Sequence, residues 1–158
     1  MNKFLNKALV FFFIFFCTSC AYEPIFSEKN YNFEISEISL SGEKKINKNI
    51  KNKLKLIKSV GQQDKVKYNI SIFTETERKI ISKDTKGDPL KFELIVYTTY
   101  QIKKNQQMVL NKRVKKNNIY NNISDKFKLE QTENNILDNL SEIISETIIS
   151  SIINLDDS

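Results

Sequence analysis

Apolar positions along this chain form one continuous run near the start and two regular periodicities after it. Alternation at every second residue predicts strands, because successive side chains of an extended backbone point to opposite faces. Phe33 and Ile35, then Ile38 and Leu40 after a slip in phase, predict a first strand over residues 32–40 with a bulge at the slip. Alternation resumes at Val66, Tyr68, Ile70 and Ile72, with Lys67, Asn69 and Ser71 facing the other way, and this second strand is expected to run on toward Ile81. Residues 84–89 (Asp-Thr-Lys-Gly-Asp-Pro) predict a turn. Next, Leu90, Phe92, Leu94, Val96, Thr98, Tyr100 and Ile102 share one face of a third strand, while Ile95 and Tyr97 lie on the other among polar neighbours. At about 3.3 Å per residue that strand extends some ~40 Å, twice the usual length, so an elongated slab is expected. Lys104-Asn105-Gln106 predicts a tight return into a fourth strand through Met108, Leu110, Lys112 and Val114, followed by an asparagine-rich loop over residues 117–122.

Helical spacing occurs twice. Ile46, Ile50, Leu54 and Ile57 recur at intervals of four and three, giving a narrow stripe that ends near Gly61, with Ser41 as the expected cap and Glu43 in the first turn. Lysines ring the rest of that helix, which reads as a solvated face. Behind Ser124-Asp125, a second cap, Ile136, Leu137, Leu140, Ile143, Ile144, Ile148, Ile152 and Leu155 build a broad apolar face suited to lie across a sheet. The fold class that follows is α+β: a four-stranded sheet with two helices packed on one face, in the order β-α-β-β-β-α.

The apolar run at the start changes the picture of where this domain works. Lys3 and Lys7 precede an apolar stretch from Ala8 to Cys17, shorter than the roughly 20 residues a membrane span needs, and this is the layout of an export signal. Cys17-Thr18-Ser19-Cys20 resembles the lipobox of bacterial lipoproteins, with Cys17 where that motif usually carries leucine. The resemblance implies cleavage before Cys20 and acylation of its thiol. The chain then divides into a lipoprotein signal peptide (1–19), a lipidated tether (20–30) and one folded domain (31–158). Ala21, rather than aspartate, after the cysteine points by resemblance to the outer membrane, on its periplasmic face.

Composition narrows the chemistry. The chain has no histidine, and Cys20 is the one cysteine left after cleavage, so the commonest general bases and metal ligands are missing and no cofactor or metal is expected. Carboxylate pairs such as Glu75 with Glu77 show no spacing for acid–base work, and Gly42, Gly61 and Gly87 are too scattered to cradle a phosphate. An enzyme is not expected. Loss of Lys3 and Lys7 lowers the formal charge from +6 to +4, and Arg78 and Arg113 are the arginines of the chain. With no recognition motif and an export signal, nucleic acid is not an expected partner. Two basic groups, Arg78, Lys79, Lys83 and Lys86 around the second strand's hairpin and Arg113, Lys115 and Lys116 on the fourth strand, would form one basic edge if strand pairing joined them. Such an edge suits the phosphates of a glycolipid, or simply protects a strand edge by charge.

Cys20-Ala21-Tyr22-Glu23-Pro24-Ile25-Phe26 resembles the Cys-Gly-Phe/Tyr-x-Pro-Leu-Tyr opening of the alphaproteobacterial lipopolysaccharide-assembly lipoprotein LptE family, with Ala21 in place of glycine. The order of elements, and Ile119-Tyr120-Asn121 as a tyrosine-containing loop, are similar to that family. The resemblance implies a non-enzymatic subunit of the lipopolysaccharide translocon, seated as a plug in an LptD-type outer-membrane barrel that it helps to fold, with lipopolysaccharide as the transported lipid. The alternative is an envelope lipoprotein serving as an auxiliary or binding subunit of a lipid transport ATPase.

Overall fold

β1 (Phe33–Gly42) leads into α1 (Lys44–Lys55), three long strands follow, β2 (Val66–Lys83), β3 (Pro89–Lys104) and β4 (Gln107–Asn121), and α2 (Lys126–Asp156) ends the fold. The computed structural model describes Tyr31, residues 33–57 and residues 65–156. The signal, Cys20, the tether and Gly61 lie outside the described residues. The α+β class and the element order are those the periodicities predict.

The strands lie in the order β1-β2-β3-β4, with β1 parallel to β2 and the others antiparallel. Parallel neighbours need a crossover, and α1 supplies it. The phase slip in β1 is a bulge between Ile35 and Glu37, which returns Ile38 and Leu40 to the helix side, where both pack on the core. At the β3–β4 turn Asn105 and Gln106 take φ of 49° and 66°, the left-handed pair that a two-residue hairpin of matching twist requires.

Both helices pack on the same sheet face. Ile46, Ile50 and Leu54 of α1, and Ile144, Ile148 and Ile152 of α2, join Tyr68, Ile70, Tyr100 and Ile102 in one buried cluster. Each such side chain contributes about 1.5–3 kcal/mol by leaving water. Ser141 and Ser145 lie on the buried face of α2, where their hydroxyls return to the carbonyls of Leu137 and Ser141 at 2.6 and 2.7 Å. Asp125 caps α2 as expected, accepting from the backbone amides of Phe127 and Lys128 at 3.0 and 3.2 Å.

Four local expectations are corrected. Ser41 belongs to β1 and donates to the Ile72 carbonyl, and Glu43, at the N-cap position, makes no side-chain cap bond. Residues 117–121 are not a loop but the end of β4: Asn117 donates to Glu93 at 2.6 Å and Tyr120 packs on Phe92 with ring centroids 5.6 Å apart, so cross-strand pairing overrides poor strand propensity. Ile143 is exposed while Ile149 is buried, because the broad stripe on α2 is rotated toward α1. Leu90 is also exposed, since the sheet's apolar face runs on past the helical cover, whose first buried residue is Ile136.

α1 and α2 run side by side in the same direction, and their polar flanks interlock at four-residue spacing. Lys45 bonds Asn134 Oδ1 at 2.9 Å and pairs with Asp138 at 3.3 Å, Asn49 donates to Asp138 at 2.8 Å, and Lys53 meets Glu142 at 2.7 Å. Part of the lysine-rich surface of α1 is therefore a helix–helix seam.

Candidate functional site

Among the described residues no helix covers the second face of the sheet. Register places Glu75, Glu77 and Lys79 of β2, Glu93, Ile95 and Tyr97 of β3, and Arg113, Lys115 and Asn117 of β4 on that helix-free side. Ile95 is only 1% exposed although it stands outside the helix-side core. Its cross-strand partners are the polar residues Glu77 and Asn117.

Those side chains are tied to one another. Tyr97 donates to Glu77 Oε2 at 3.3 Å, and Lys79 pairs with the same oxygen at 3.2 Å, a contact that raises the Lys79 ammonium above its ordinary value. The Arg113 guanidinium lies 5.1 Å over the Tyr97 ring and 3.7 Å from Glu75 Oε2. The result is an apolar strip under a lattice of paired charges.

Arg78 sits on the other face. Its guanidinium stacks 3.6 Å over Phe92 and its Nε donates to Tyr120 Oη at 3.0 Å and Glu133 at 2.9 Å. Tyr120 in turn donates to Glu133, closing a triangle between β2, β4 and α2. Burial works against the Arg78 charge, yet the hydrogen bonds and charges of Tyr120 and Glu133 raise its pKa overall. Burial also raises the Tyr120 phenol, reinforced by Glu133 and opposed by Arg78. An open cleft beside this triangle is lined by Ser124, Lys126, Glu130 and Glu133.

The expected single basic edge is thus divided. β3 stands between β2 and β4, so Arg78, opposite Leu94, and Arg113, opposite Thr99, point to different faces. Lys79, Arg113 and Lys115 share the helix-free side, Lys116 is opposite Val96 on the helix side, and Lys83 and Lys86 lie at the β2–β3 hairpin. Sequence reasoning missed the partners of Arg78, because Phe92, Tyr120 and Glu133 come from three separate elements. A second open groove, lined by Ser39, Ser71, Phe73, Thr99 and Gln101, crosses the helix-free side of β1, β2 and β3.

Among the described residues no three potential ligands gather to hold a metal ion, and no helix is long and apolar enough to cross a membrane.

No family model and no curated protein matches the chain. Solved structures do. Rare lipoprotein B from Shewanella oneidensis is similar with a TM-score of 0.56 at 17% identity, over 75% of this chain and 98% of that one. Uncharacterized lipoprotein B from Nitrosomonas europaea gives 0.60 at 13% identity, over 80% and 87% of the two chains. A putative lipoprotein from Caulobacter crescentus gives 0.52 at 11% identity, over 75% and 88%. At these identities the likeness is one of fold: the described domain has the fold of several bacterial lipoproteins.

Proposed function

We propose that this chain is an outer-membrane lipoprotein, held by acylated Cys20, that serves as a non-enzymatic subunit of the lipopolysaccharide translocon. In this reading it plugs an LptD-type β-barrel, assists its assembly and aids insertion of lipopolysaccharide into the outer leaflet. The observation that carries the proposal is the joining of two independent features. The fold is one found in several bacterial lipoproteins, and it follows a sequence that opens with an export signal and Cys20-Ala21-Tyr22-Glu23-Pro24-Ile25-Phe26.

The helix-free face supports the role of a plug. Glu77 with Lys79 and Glu75 with Arg113 are already paired on it, which lowers the cost of desolvating those charges against the polar inner wall of a barrel, and Lys115 is left to find a partner there. The structure also redistributes the candidates for lipopolysaccharide phosphates. Arg78 and Arg113 are engaged by Glu133 and Glu75, and Lys79 by Glu77, whereas Lys83, Lys86, Lys115 and Lys116 make no ion pair among the described residues. In this reading those four lysines are the first contacts and the arginines follow only on exchange of partner.

Purification of the native protein from detergent-solubilised envelopes tests the proposal. A stoichiometric outer-membrane barrel should accompany it. Recovery with an inner-membrane transport ATPase would support the alternative role as an auxiliary subunit.

A further inference from the structure

The chain enters the sheet at Phe33, which pairs with Val66. Two residues on, Tyr68 pairs with Lys104, and Lys104 pairs with Gln107 across the β3–β4 turn. That hairpin therefore stands at the end of the sheet where the tether arrives. The β2–β3 hairpin lies at the opposite end, separated by the 18 residues of β2, about 55 Å at ~3.3 Å per residue.

Fully extended, residues 20–30 reach no more than about 40 Å. A lipid on Cys20 thus keeps the end of the domain that carries the β3–β4 hairpin within the tether's reach of the leaflet. Just behind its turn are two apolar side chains in water, Met108 at 54% and Val109 at 38% exposure. Lys103 and Lys104 precede the turn, and Lys65 and Lys67 lie at the adjoining start of β2; none of these four makes an ion pair among the described residues. Glu34 of β1, opposite Lys67, and Asp156 of α2, which faces Tyr68, are acidic groups at the same end, so the balance is basic.

We propose that the β3–β4 hairpin is a second membrane contact, entering the bilayer interface turn-first with Met108 and Val109 while Lys103 and Lys104 lie against anionic phospholipid headgroups. Neighbouring residues of a strand point to opposite faces, so only a turn-first approach takes both apolar side chains out of water. Long lysine stems suit this position, since they cover apolar surface while the ammonium stays among the headgroups. The inference rests on the reading of Cys20 as the lipid anchor, because tethering converts a weak contact into an intramolecular one. Its consequence is orientation. The free lipoprotein is held by two points at one end, with the β2–β3 hairpin directed away from the site of attachment.

The chain contains no tryptophan, which makes a single reporter possible. The processed, acylated protein carrying Val109→Trp is reconstituted into phosphatidylcholine vesicles containing brominated phosphatidylglycerol, with Leu90→Trp at the far hairpin as the comparison. Flotation with the vesicles is recorded on the same samples. The proposal expects blue-shifted emission and several-fold stronger quenching for Val109→Trp than for Leu90→Trp, and loss of that excess when Lys103→Glu and Lys104→Glu are added. Equal quenching of the two reporters in protein that floats overturns the hairpin contact and leaves the anchor standing. Protein that fails to float overturns the anchor and the contact with it.

Discussion

Thr74 Oγ1 donates a 3.0 Å hydrogen bond to Asn47 Oδ1, joining the middle of β2 to the first turn of α1. Both side chains are buried, and each has a further task. The Thr74 hydroxyl accepts from the backbone amide of Glu43 at 3.1 Å, and the Asn47 carboxamide donates to the Ser41 carbonyl at 2.9 Å. The start of α1 is thus capped by a residue of a strand 31 positions later rather than by its own leading side chains.

Replacing Thr74 by valine keeps the shape and removes the hydroxyl. The Asn47 oxygen then stays buried without its donor, a cost of about 1–3 kcal/mol, while the Glu43 amide keeps the Thr74 backbone carbonyl at 3.1 Å. Urea unfolding should show that loss for Thr74→Val, while Thr74→Ser stays much nearer the parent.

Gly42 and Gly87 share a left-handed backbone, with φ of 92° and 91°, but not surroundings. A Cβ on Gly42 would overlap the backbone carbonyl oxygen of Thr74, whereas one on Gly87 meets open space. Gly87→Ala should therefore cost only the conformational term, roughly 1–2 kcal/mol. Gly42→Ala should cost clearly more, because β1 must shift away from β2; thermal unfolding of the two variants side by side checks the difference.

Thr98 is fully buried on the core face of β3, and its hydroxyl has no partner among the described residues. The isosteric change Thr98→Val removes an unsatisfied polar atom from an apolar setting. Stability should rise by about 1 kcal/mol, read as a higher urea midpoint with an unchanged slope.

Much of this architecture was legible in the sequence, and the failures have physical causes. Val66 to Ile72 and Phe92 to Ile102 alternate because one face of a long strand is buried, and the phase slip at Ile35–Glu37 is the bulge itself. The cap of α1 was not legible, since Ser41 and Glu43 look like helix-start residues and Thr74 lies far away in sequence. Residues 117–121 read as a loop because asparagine favours turns, while the pairing that makes them a strand depends on Glu93 and Phe92. The same holds for the basic residues. Their number was evident, but whether Arg78 and Arg113 share a surface is decided by β3 lying between their strands.

In the proposed role the folded domain works inside a barrel partner while held by Cys20. A photo-cross-linking amino acid placed at Tyr97, on the helix-free face, tests this in intact cells. One dominant adduct with an outer-membrane β-barrel protein is expected, lost when Cys20→Ala prevents anchoring. An adduct with an inner-membrane ATPase, or a barrel adduct undiminished by Cys20→Ala, would contradict it.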